Sequence, residues 1–440
     1  MEKTLRDFVA EYADEAIALS RVLFHHPELA GEEQTAVQAS AALLNQYGFT
    51  TEIGAFQTPT CFVSRWGTGT APVIGFLAEY DALPGLHQPG GSPCYQGDPA
   101  LPGHGCGHNL LGAACVLAAI SLRAFAEAQR LPLQIVLYGC PAEETLTGKI
   151  QMARAGAFRE LDIALSWHPF DSNRTSNTAC QAMDAIAFTF HGKSAHAAAA
   201  PHLGRSALDA CELMNVGVNY LREHLTDGER IHYGYLNSGS APNVVPDLAS
   251  TLYFIRGKHR ALVTDTTRRV IEVAKGAALM TETSMDYSFQ SRGYEMLVNH
   301  TIAAEIHRVM ESIPLPVFDD AAMKFARDLA LHAGSQPRYA TQVDSYTPGE
   351  TVQAFGSTDF SDVSHLVPSG AFRCVCAPVG TPLHHWAMTA CSGSPVGETG
   401  MLYAAQVLAE TGRRFAADVE LLKRAKEEFL HTSHGWWDAL

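Results

Sequence analysis

Apolar residues at helical spacing open the chain: Leu5, Phe8, Val9, Tyr12, Ala16, Ile17 and Leu19 fall between charges, which predicts an amphipathic helix over residues 4–24 ending before His25-His26-Pro27. Short runs rich in β-branched and aromatic residues at 60–66 and 73–78 predict strands. The apolar run from Leu110 to Ile120 predicts a buried helix, because its eleven residues fall short of the ~18 that suggest a membrane span. A strand at 133–138, a helical stretch near Thr147 and a strand at 163–167 continue the alternation. Alternating strands and helices predict an α/β layer around a mostly parallel sheet.

Between Met183 and Tyr294 the pattern changes. Strand 186–190, helix 206–223, strands 231–236 and 249–255, helix 262–278 and strand 284–290 give the order β-α-β-β-α-β, a ferredoxin-like unit. Chemistry-bearing sequence resumes near Phe355 and runs to Ala390, so the small unit is expected as an insertion. The expected architecture is a discontinuous α/β catalytic domain, residues 1–182 and 295–440, carrying a lid and dimerisation domain at 183–294. Residues 316–350 lack clear periodicity.

Composition narrows the function classes. With 440 residues, 47% hydrophobic and 18% charged, the chain has the make-up of a globular protein of about two to three domains. The formal net charge of −15 repels phosphate backbones and anionic lipid, so neither nucleic acid nor a membrane is an expected partner. Ten cysteines with no Cys-x-x-Cys pair fit a reducing compartment. Five acidic residues between Met1 and Ile17 argue against a secretory signal peptide. A cytoplasmic location is expected.

The densest chemistry is Gly103-His104-Gly105-Cys106-Gly107-His108-Asn109, which can offer a thiolate and an imidazole to one ion. A Gly-rich turn with a buried cysteine and a helix-capping Asn109 accounts for the same residues. Glu143 and Glu144 follow the strand at 133–138, on the edge where α/β sheets form sites. On an extended backbone the two point opposite ways, one to a metal and one to substrate as general base. An acidic first helical turn is the plainer explanation. His168 follows a further strand and His384 sits in a Gly- and Pro-containing loop. Together Cys106, His108, Glu144, His168 and His384 make a donor set of the size a two-metal site needs. In the lid, His196, Asn243 and Arg256 can meet a carboxylate or a developing oxyanion, or be a turn histidine, a turn asparagine and a surface arginine.

The blocks Gly75 to Leu83, Gly103 to Gly112, Tyr138 to Glu144, Pro201 to Ala210 and Gly380 to Trp386 carry a resemblance that spans nearly the whole chain. The sequence resembles the dinuclear-metal aminoacylase and carboxypeptidase amidohydrolases, in the branch of the indole-acetyl-amino-acid hydrolases. The resemblance implies that Cys106, His108, Glu144, His168 and His384 ligate two divalent ions, manganese or zinc, that Glu143 is the catalytic base, and that Asp81 orients a ligand. It implies that His196 reaches a neighbouring subunit's active site, hence a homodimer through the lid, and it admits a homologous partner chain. The implied substrate is an N-acyl amino acid or dipeptide, with aminobenzoyl-glutamate as the specific candidate. One departure stands out: the wider family has His-x-Asp where this chain has Glu79-Tyr80-Asp81.

Three other functions compete. A cysteine nucleophile pairing Cys106 with His108 and Glu143 leaves Glu144, His168 and His384 unexplained. A metal-dependent deaminase of an aromatic amine is open to the same ions, although the Pro-Cys-x-x-Cys signature of zinc deaminases is missing. A non-catalytic metabolite-binding homologue predicts a damaged catalytic set, whereas every candidate residue is present.

Overall fold

The predicted opening helix is two helices, Leu5–Glu11 and Ala13–His25, broken at Tyr12, whose φ of −104° and ψ of 14° leave helical geometry. The structure, a computed structural model, describes residues 3–433. These divide into two compact units, one running to Thr178 and resuming over Leu297–Val352 and from Asp362, the other formed by Ala179–Met296 with Gln353–Ser361. The second unit therefore holds a segment, 353–361, outside the expected insertion.

The strands that build the two larger sheets are, in chain order, β1 Thr50–Ile53, β2 Phe62–Trp66, β3 Val73–Glu79, β4 Gln134–Cys140, β5 Ile163–Phe170, β6 Arg174–Thr175, β7 Ala182–His191, β8 Arg230–Asn237, β9 Leu248–Gly257, β10 Ser284–Gly293 and β11 Ser369–Val375. Among the described residues the first unit has a seven-stranded sheet in the order β1-β2-β4-β3-β5-β11-β6. Its centre, β4-β3-β5-β11, is parallel and its edges are antiparallel. The register pairs Glu79 with Cys140, so β3 and β4 end side by side, and β5 ends beside them. Loops leaving the carboxyl ends of parallel strands form the crevice of an open α/β sheet.

Helix His108–Gln129 packs against β3 and the helix Pro395–Ala417. It is twice the length its apolar core suggested, long and apolar enough to cross a membrane, yet 83% of its apolar window is buried within the protein. Asn109 lies inside this helix rather than capping it: Nδ2 donates to Ser20 Oγ and Ser392 O, both at 3.0 Å. The cap is Gly107, at φ +80°, a left-handed conformation that glycine adopts without steric cost. Within the aperiodic stretch 316–350 lies a helix, Asp320–Ala333, capped by the Asp319 side chain and ended by Gly334. It buries Ala326 and Leu329 and packs Ala322, Met323 and Phe325 half-buried on the same side.

The second unit shows the predicted β-α-β-β-α-β order. Its four-stranded antiparallel sheet, β10-β7-β9-β8, carries helices Ala207–Leu221 and Arg260–Thr281, with Phe188, Tyr253, Ile255, Met214 and Val270 in the core. Inside it Asp184, with a fully buried side chain, lies 2.8 Å from Arg260 Nη2 and accepts a hydrogen bond from Thr267 Oγ1 at 2.7 Å. Arg260 Nη1 also donates to Met183 O and Gly293 O, so the guanidinium ties together the helix, β7 and β10. Asp184→Ala strands a buried cation and is expected to cost about 3–5 kcal/mol in urea unfolding. A loss under about 1 kcal/mol would mean that solvent already screens the pair.

Candidate metal centre

Five segments of the first unit converge at the carboxyl edge of its sheet: the ends of β3, β4 and β5, the loop before helix His108–Gln129, and the loop before helix Trp386–Ser392. Three groups of side chains each place one ligand atom per residue within 4.8 Å of the others: Cys106, His108 and His168; Cys106, Glu144 and His384; and Glu79, His108 and Glu143. The groups share Cys106 and His108, so they form one continuous centre. All five sequence-predicted ligands belong to it, together with Glu143.

His108 is fully buried between two carboxylates. Its Nδ1 lies 2.8 Å from Asp81 Oδ1, and its Nε2 lies 3.4 Å from Glu79 Oε2 and makes no hydrogen bond. Burial by itself would lower this imidazole; Cys106 and Asp81 outweigh burial and hold it well above its ordinary range. The surroundings thus call for positive charge at Nε2, which a proton or a divalent ion can supply. Burial would raise Asp81, but the His108 hydrogen bond keeps it below the usual carboxylate range. Its second oxygen accepts from Glu144 N at 2.9 Å, linking the two glutamates' turn to the imidazole.

Cys106 Sγ lies 3.2 Å from His168 Nε2, and His168 Nδ1 lies 2.7 Å from Pro169 O, which fixes the proton on Nδ1 and turns the Nε2 lone pair toward the sulfur. Burial lowers His168 to about 3 and pushes the Cys106 thiol up. A buried thiol shifted upward is no activated nucleophile. Glu144 Oε2 lies 3.4 Å from His384 Nε2, while Oε1 is buried without a hydrogen bond. His384, at φ +54°, donates its backbone N–H to Gly105 O at 2.9 Å, tying its loop to the Cys106 loop. Two orphaned buried ligand atoms, His108 Nε2 and Glu144 Oε1, amid thiol, imidazole and carboxylate donors are what a divalent-metal centre requires.

Glu143 and Glu144 do not continue an extended strand as expected. β4 ends at Cys140, Ala142 turns to φ +55°, and residues 143–146 form a turn. Sequence reasoning missed what holds this turn. Glu33, fully buried, accepts from Ala142 N at 2.8 Å and Gly31 N at 2.9 Å. Lys149, also fully buried, places Nζ 2.6 Å from Glu79 Oε1. Neither residue stands in a motif, and the contacts to Ala142 and to Glu79 join distant parts of the chain.

In the second unit His196 and Asn243 are neighbours: Ala197 N donates to Asn243 O at 3.0 Å, and His196 pairs with Val244. Both are exposed. Backbone N–H groups of Ala198 and Ala199 point at His196 Nδ1, each at 3.2 Å, so the neutral ring carries its proton on Nε2. Arg256 is not with them. It lies near the far end of β9, about 26 Å along the strand from Leu248, and donates to Ser357 Oγ at 2.7 Å.

Residues 183–279 match the M20 peptidase dimerisation domain. The chain is 36% identical over 436 residues to one of the subunits of p-aminobenzoyl-glutamate hydrolase from Escherichia coli, covering 92% of this chain and 90% of that protein. It is 29% identical over 449 residues to Xaa-Arg dipeptidase of Mus musculus, covering 97% and 92%. Its fold matches a dinuclear metal binding peptidase of the M20 family from Bacillus subtilis with a TM-score of 0.57 at 17% identity, covering 91% of this chain and 99% of that one.

Proposed function

Because the chain belongs to the M20 family of metal-dependent amidohydrolases, we propose that Cys106, His108, Glu144, His168 and His384 hold two divalent ions in each protomer and that Glu143 is the base of amide hydrolysis. The observation that carries this reading is the merging of three ligand groups through Cys106 and His108, with His108 Nε2 and Glu144 Oε1 buried and unpaired between them. Zinc suits the thiolate and imidazoles, and manganese the carboxylates.

Held by these residues, divalent ions would supply Lewis acidity, which brings the pKa of a bound water to about 7. Glu143 accepts the proton of the attacking water and returns it to the departing amine nitrogen. Asp81 holds the His108 ring with Nε2 facing the centre, and its other oxygen steadies the turn that carries Glu143. His196 offers Nε2–H to the developing oxyanion, while Asn243 and Arg256 bind the substrate's polar ends. Arg256 and His196 lie at opposite ends of β9, which supports a site completed by the neighbouring protomer of a homodimer built on the dimerisation domain.

The chain acts on N-acyl amino acids or dipeptides. Aminobenzoyl-glutamate is the substrate that the 36% identical relative supports, and that relative's being named as one subunit of its enzyme supports a homologous partner chain as well. The other relative makes an Xaa-Arg dipeptide the second substrate to assay. Ten free thiols suit the reducing cytoplasm.

The test is amine release from a panel of N-acyl amino acids and dipeptides, including aminobenzoyl-glutamate and Xaa-Arg, with manganese or zinc and then with chelator. Release from at least one member that chelator abolishes and thiol alkylation spares is the expected result. Absence of release from every member overturns the substrate assignment, and release that survives full metal removal overturns the metal mechanism.

A further inference from the structure

Lys149 and Glu79 take no part in the chemistry above, yet they border the centre. Lys149 sits in the first turn of helix Gly148–Arg154, immediately after the turn that carries Glu143 and Glu144. Its side chain is fully buried and its ammonium meets Glu79 Oε1 at 2.6 Å. Glu79 ends β3, and its other oxygen, Oε2, lies 3.4 Å from the unpaired His108 Nε2 and within the same ligand group as Glu143. The pair thus joins the helix behind the catalytic turn to the strand that leads into Asp81.

Stability alone does not account for it. Desolvating two such charges costs several kcal/mol per ion, and an apolar pair of equal volume serves a core as well or better. What the ion pair does and an apolar pair cannot do is fix a carboxylate oxygen beside His108 Nε2. Resting on the proposed metal-dependent function, we propose that Lys149 is a positioning residue. By engaging Oε1, its ammonium holds the Glu79 carboxylate with Oε2 facing His108 Nε2, so that a cation taken up there meets a fixed negative charge. Without Lys149 the carboxylate loses its anchor and its aim. Groups that orient a metal site from just outside the ligands typically change metal affinity by about 10–100-fold when removed.

The experiment measures zinc affinity of the purified metal-free protein by competition with a chromophoric chelator, for wild type, Lys149→Met, Glu79→Gln and the double variant. Lys149→Met and Glu79→Gln are each expected to bind zinc about 10–100-fold more weakly. The double variant should lose no more than the larger single loss, because the two residues act as a unit. An unchanged or raised affinity in Lys149→Met, or losses that multiply in the double variant, overturns the proposal. Lys149→Met leaves Glu79 buried without its partner and can fail to fold. The double variant then decides, set against Glu79→Gln: a folded double variant that binds zinc as weakly as Glu79→Gln supports the proposal, and one with wild-type affinity or a loss well beyond that of Glu79→Gln overturns it. Wild-type protein that takes up no zinc or manganese at all would instead count against the metal-dependent function.

Discussion

Glu143→Gln is expected to take up as much metal as the wild type while turnover falls by about 10²–10⁴-fold, the range general acid-base catalysis contributes. Gln preserves the volume and polar shape of the side chain but cannot accept a proton from water. The five proposed ligands are untouched by the change, as is the Asp81 contact with Glu144 N that holds the turn. The carboxylate of Glu143 stands within 4.8 Å of His108 and Glu79 ligand atoms, close enough to reach a water held at the centre. The measurement pairs metal content by elemental analysis with kcat and KM on the substrate found in the panel. A fall confined to kcat identifies a group that acts in the transition state. Metal content that falls with turnover would make Glu143 a ligand instead, and full activity would place the base elsewhere.

The sequence exposed the donors of the centre because each sits at a punctuated point: Cys106 and His108 among glycines, Glu143 and Glu144 after a strand, His168 at a strand end, His384 in a turn. Such residues can be found by type and local spacing. Their partners cannot. Glu33 acts through a hydrogen bond from Ala142 N, 109 residues away, and Lys149 through the Glu79 carboxylate at the end of β3, while both look like ordinary surface charges in the sequence. Arg256 is a different case. It lies close to Asn243 in sequence, but an extended strand carries it to the far end of the sheet.

Secondary structure followed the same logic. Deeply buried elements were legible, β9 by its alternation, the helix Arg260–Thr281 by its one apolar face, and β3 and β5 as short, nearly continuous apolar runs. The helix Asp320–Ala333 was not legible although Met323, Ala326 and Leu329 recur at helical spacing, because the residues on either side of it, 316–319 and 334–350, carry no period. The long opening helix failed for a different reason: apolar spacing continues through Tyr12, and only the backbone there reveals the break.

Cys106→Ala is expected to have a still larger effect, the loss of bound metal together with turnover to below detection. Cys106 is the one thiol in the centre and belongs to two of the three ligand groups, so its removal takes a donor from both. Zinc retains thiolate far better than the hydroxyl of serine, and Cys106→Ser should therefore lose zinc as well, although it nearly preserves the side-chain volume. The fold should survive either change, because Cys106 is a small side chain at a loop that backbone bonds from His384 N to Gly105 O and Gly107 N to His104 O already hold. The check is metal content and chelator competition alongside thermal melting of the metal-free proteins. Wild-type metal content in both variants with turnover intact would remove Cys106 from the centre. Wild-type metal content with turnover lost would instead revive a cysteine nucleophile, and alkylation of metal-loaded wild type would then have to abolish amine release. That outcome runs against the geometry, since burial pushes the Cys106 thiol up, away from a free nucleophilic thiolate, and its Sγ lies among the donor atoms of two ligand groups, where a bound cation would displace the thiol proton to solvent.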